Sequence, residues 1–147
     1  MYEFILGLHN IVRWIILLAG IAAVILALRG LFTRANWGDT ERRVGSIFAG
    51  SIHLQVLIGF ILYFVSPLIR SGLSDFGAAM SDPNLRFFLT EHLVIMIIAA
   101  IAAQVGASLA RRAKTDQAAF TRASIGFVIA LALIFYGIPW DRPALPF

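Results

Sequence analysis

The chain contains no cysteine. That absence excludes disulfides, thiolate zinc sites, iron–sulfur clusters and haem attached through a CxxCH motif. Charge is scarce as well. Only 14% of residues are Asp, Glu, Lys or Arg, where soluble domains carry about 25%. No HExxH, Walker loop, GxGxxG or GxSxG string occurs, so the common metalloprotease, nucleotide-binding and serine-hydrolase signatures are missing. Acidic residues are the rarer sign, 8 against 12 basic, giving a net charge of +4. The basic residues cluster at the ends of apolar runs. They therefore report membrane orientation, and nucleic acid is not expected as a partner.

What remains is largely apolar: 60% of the 147 residues are hydrophobic and the mean hydropathy is +0.86. A membrane-spanning helix needs about 20 mostly apolar residues. Four stretches meet that need, at about 3–29, 43–66, 83–110 and 118–139. The first is interrupted by His9 and Arg13. It is too long for a signal-peptide core and no small-residue cleavage site follows, so it is read as a retained helix. Ser81-Asp82-Pro83 supplies a capping side chain and then proline at the first helical position, the signature of a helix start. Pro139 stops the fourth span. The expected fold is an all-α, integral membrane four-helix bundle, a single transmembrane domain over 1–147. Short inner connections make it up-down-up-down.

One set of loops holds Arg29, Arg34, Arg42, Arg43, Arg111, Arg112, Lys114 and Arg122. The other holds Arg70, Arg86 and Arg142, diluted by Glu3, Asp75, Asp82 and Asp141. The positive-inside rule then places both termini and the 66–85 loop outside. The expected location is a bilayer crossed four times, a bacterial inner membrane.

Three histidines, His9, His53 and His92, lie inside the apolar spans. Hydrocarbon penalises a polar side chain without a partner, so intramembrane imidazoles are candidates for haem ligation, metal ligation or proton handling. At 1.5 Å per residue, His53 and His92 lie about 16 and 15 Å below the outer ends of their spans, and His9 about 10 Å. Matched depth predicts one shared site. Helical phase adds small residues to the histidine faces: Gly20 and Ala27 with His9, Ala49 and Gly50 with His53, Ala99, Ala103 and Gly106 with His92. Small residues let helices approach closely.

Haem b bound by two of the three imidazoles is the sharpest reading, because a macrocycle without thioether links needs axial ligands from facing helices. Diagonal geometry favours His9 with His92; depth favours His53 with His92. Arg13 suits a propionate, since guanidinium pairs bidentately with carboxylate. Glu91 is a candidate proton group, beside a possible quinone site. The competing reading makes the histidines interhelical hydrogen-bonding glue, with Gln55, Gln104, Ser51, Thr90 or Glu91 as partners. A copper site using His92 and Met96, four apart on one face, is a weaker third.

The strings LHNIVRW at 8–14, HLQVLIGFILY at 53–63, RFFLTEHLVIM at 86–96 and IPW at 138–140 resemble a group of small four-helix bacterial membrane proteins described as cytochrome b-like. The resemblance covers nearly the whole chain. It implies a haem b protein in electron transfer, with His9, Arg13, Trp14, His53, Arg86, Glu91, His92 and Trp140 as its motif residues. Dihaem cytochromes b carry four membrane histidines and this chain has three, so at most one bis-histidine haem fits. With no nicotinamide, flavin or substrate motif, the expected role is a subunit passing electrons between the quinone pool and a partner complex. The alternative is a non-redox accessory subunit. Other membrane subunits or further copies of the chain are the expected partners.

Overall fold

The computed structural model, which describes residues 1–141, is built of helices alone, with no strand among the described residues. The chain runs through α1 (Tyr2–Thr33), α2 (Asp39–Val65), the short α3 (Pro67–Ser74) and α4 (Phe76–Ser81), then α5 (Pro83–Arg111) and α6 (Asp116–Gly137). Helices α1, α2, α5 and α6 are long and apolar enough to cross a membrane. They extend past the apolar runs into polar turns, so α1 reaches Thr33 and α6 begins at Asp116.

Local chemistry sets the helix ends. Arg34 closes α1 in the left-handed conformation at φ 53°, and the Ala35 amide donates to the Gly30 carbonyl at 3.1 Å, a common helix stop. At the start of α2 the Gly38 amide donates to the Glu41 carboxylate at 3.0 Å. The Thr115 hydroxyl accepts from the Ala118 amide at 3.2 Å and opens α6. The Ser81-Asp82-Pro83 string behaves as its chemistry demands. Asp82 accepts from the amides of Asn84 and Leu85 at 2.8 and 3.0 Å, with Pro83 in the first turn of α5.

The four spans close into a ring. Helix α1 packs on α2 and α6, and α5 packs on the same two, which leaves α1 diagonal to α5. The α5–α6 seam is the tightest. A Cβ placed on Gly106 would stand 2.8 Å from the Gly126 Cα, so only glycine permits this backbone approach. Alanines 99, 100, 103, 107 and 110 are buried on the same helix. In lipid, helices associate through such close packing rather than through a hydrophobic drive. Phe48 and Phe127 fill the ring's middle edge to face, 5.7 Å between centroids. Outward-facing Leu18, Ile25, Ile47, Leu57, Ile101 and Ile125 present an apolar surface.

The two ends of the ring differ. At one, Trp37 packs on Phe120 at 4.9 Å, Gln117 donates to the Leu31 carbonyl and Arg122 to the Leu109 carbonyl. The basic turns gather there. At the other, Ile69, Ala79 and Leu89 form a small second core beneath α3 and α4, and the spans part around a cavity.

Candidate functional site

The cavity, of ≈ 400 Å³, lies between α1, α2, α5 and α6. It falls within the range of cofactor and small-molecule sites, about 300–1,000 Å³. Its walls are mostly aliphatic, and its polar groups include His9, Asn10, Arg13, Gln55, Tyr63 and His92. Such walls exclude water, and each polar group set into them must find a partner.

His92 reaches the cavity from an irregular stretch of α5. Residues Phe87–Glu91 form a π-helical turn, in which the His92 amide donates to the Phe87 carbonyl five residues back. The extra residue advances every later side chain by about 100° around the helix axis. Inserted turns of this kind are frequent at functional sites. The Tyr63 hydroxyl donates to the Leu89 carbonyl inside the turn at 3.1 Å, and the rings of Phe87 and Phe88 stand 5.7 and 6.2 Å from the imidazole.

The His92 imidazole is held on its far side as well. Its Nδ1 lies 2.8 Å from the Gly137 carbonyl oxygen. A carbonyl only accepts, so Nδ1 carries the hydrogen and Nε2 keeps its lone pair. The sequence explains why that carbonyl is available. Gly137 is the last residue of α6, where carbonyls lose their helical donors. Pro139 has no amide hydrogen, and the Phe135 carbonyl is served instead by the Trp140 indole at 2.9 Å. The Ile138-Pro139-Trp140 string therefore ends α6 and exposes an acceptor to His92. Gly137 also lacks a side chain where Met96 and Ile95 press against it.

His9 faces His92 from the diagonal helix. Their ring centroids are 6.3 Å apart and the planes meet at 60°. A Cβ on Gly59 would lie 3.5 Å from His9 Cε1 and 4.0 Å from Nδ1, so the Nδ1 edge of this ring runs along α2. Gln55, one turn before Gly59 and only 8% exposed, donates its Nε2 to the His9 carbonyl at 2.8 Å. Arg13, one turn after His9, is buried and lines the same cavity.

The other candidates are placed elsewhere. His53 lies on the exposed side of α2, its Nδ1 bonded to the Ala49 carbonyl of its own helix at 2.7 Å. The buried stripe of α2 passes through Gly45, Phe48, Ile52 and Gln55, a residue or two out of phase with His53. Matched depth with His92 thus does not bring the two together. Glu91 and Arg86 pair with each other at 2.7 Å, both more than two-fifths exposed, and neither lines the cavity. Met96 lines it, with its methyl turned onto Gly137. Arg142, counted among the outer charges, lies outside the described residues.

Among the described residues no three His, Cys, Asp or Glu side chains converge as a bare metal ion requires. Two opposed imidazoles suit a metal whose remaining ligands come from a macrocycle. An imidazole nitrogen binds a first-row metal at about 2 Å, so two rings sharing one ion from opposite sides have centroids about 6 Å apart. The 6.3 Å between the His9 and His92 centroids is of that size, and it is equally the spacing of an edge-to-face ring contact. The carbonyl partner of His92 is the outer contact that metal-bound histidines usually possess. The residues present fit a bis-histidine haem. The π turn, the facing of Gly59 and the free Gly137 carbonyl carry no pattern of their own in the sequence; only the proline that frees nearby carbonyls signals the last. Comparison of the chain with protein-family models, curated proteins and solved structures finds no match.

Proposed function

We propose that the protein is a small b-type cytochrome-like membrane subunit that passes electrons between the quinone pool and a partner complex. One observation carries this reading: His9 and His92, from diagonal helices, oppose one another at 6.3 Å across an apolar cavity. The haem, when bound, supplies one-electron exchange. The chain's own residues supply the rest. His9 and His92 would hold the haem, and the Gly137 carbonyl fixes the ring of His92. Arg13, within the same cavity, offers a guanidinium to a propionate. The aliphatic walls would keep water from the bound group and so raise the weight of each charge nearby.

The reading includes an up-down-up-down order with both termini outside, in a bacterial inner membrane. Its support is the gathering of Leu31, Trp37, Leu109 and Gln117 at one end, the end that carries eight of the basic residues. A non-redox accessory role, with imidazoles as interhelical glue, draws on the His92–Gly137 hydrogen bond. A reduced-minus-oxidised visible spectrum of the detergent-purified protein separates the two. The cytochrome reading predicts a sharp α band and one extractable haem per chain. Colourless protein from haem-replete cells would defeat it.

A further inference from the structure

We propose that Gln55 is a positioning residue that holds His9 in the tautomer with its proton on Nδ1, leaving Nε2 free to bind metal. Four buried side-chain atoms among the described residues have no hydrogen-bond partner: His9 Nδ1, Gln55 Oε1, Trp37 Nε1 and Ser124 Oγ. Trp37 packs at the basic end of the ring. Two of the four, His9 and Gln55, belong to residues already in contact at the cavity. A buried polar group of this kind is destabilising if left unmet.

The chemistry of the pair is complementary. The Gln55 amide must turn its NH₂ to the His9 carbonyl, because a carbonyl accepts only. Its oxygen is therefore the end left over, and it is an acceptor. The Nδ1 edge of His9 runs along α2 beside Gly59, one turn from Gln55. A rotation of the imidazole that brought Nδ1–H onto Oε1 would satisfy both orphans at once, with the Gln55 NH₂ still on the His9 carbonyl. The same residue would then grip the backbone and the side chain of His9 together. His9 would gain from α2 what His92 has from α6, an oxygen acceptor on Nδ1. Metal-bound histidines almost always make this second contact, and its loss costs about 10–100-fold in metal affinity.

The purpose of the contact rests on the haem reading; the contact itself does not, and the test separates them. Nitrogen-15 spectra of histidine-labelled, haem-free full-length protein in detergent report the His9 tautomer, with His9→Ala assigning its signals. The wild-type protein is expected to show a protonated Nδ1 and a bare Nε2. Gln55→Leu is expected to give a tautomer mixture and, on titration with haemin, an affinity lower by about 10–100-fold. Gln55→Glu keeps an acceptor and is expected to keep the wild-type tautomer. A wild-type proton on Nε2, or a His9 spectrum unchanged in Gln55→Leu, overturns the inference. If Gln55→Leu fails to fold, the wild-type and Gln55→Glu spectra decide. If haemin does not bind the wild-type protein, the cytochrome reading falls while the tautomer still decides this proposal.

Discussion

His53 and Gln55 stand two residues apart on α2 and finish on different sides of it. Two residues turn a helix by about 200°, so Gln55 enters the cavity while His53 faces outward with its Nδ1 on Ala49. Depth along a span was readable from the sequence, and it placed His53 level with His92. Facing was not, because α2 is apolar nearly all round and its stripe has no sharp edge. Diagonal geometry did select the pair that the fold opposes, His9 with His92. His53→Ala is accordingly expected to leave haem content unchanged and to shift stability by less than about 0.5 kcal/mol, as for substitutions that touch nothing essential. Haem-to-protein ratio and a thermal melt of the variant check this; a loss of haem would return His53 to the site.

The helices themselves were plain in the sequence because span length and hydropathy are set by the bilayer. Their irregularities were harder to see. The π turn at Phe87–Glu91 offers its Leu89 carbonyl to Tyr63, a contact between α2 and α5 that no local pattern announces. The α5–α6 seam was half legible. Gly106 stood on the histidine face of its span, but its partner Gly126 follows only from the packing. A side chain at either position must push two backbones apart, and overpacking of this kind costs about 1–3 kcal/mol or more. Gly126→Leu is expected to lower the thermal unfolding midpoint by several degrees and to weaken haem retention, since α6 carries the Gly137 carbonyl. An unaltered melt would show that the seam contributes little.

Viewed whole, the ring divides its work between its ends. The basic end is closed by Trp37, Phe120 and the Gln117 and Arg122 hydrogen bonds. The opposite end spreads around the cavity and is topped by α3 and α4 over Leu89. Composition and charge were enough to foresee a four-span all-helical protein. The cavity was not legible in the same way, since it depends on small residues such as Gly59, whose facing toward His9 follows only from the packing. On the proposed reading, His9 and His92 would hold a single haem between them. Electron paramagnetic resonance of the oxidised, haem-loaded protein tests it most directly. A low-spin, six-coordinate signal is expected in the wild-type protein, replaced by a high-spin signal in His9→Ala and in His92→Ala. A high-spin wild-type signal, or a low-spin signal that survives in His9→Ala, would contradict it.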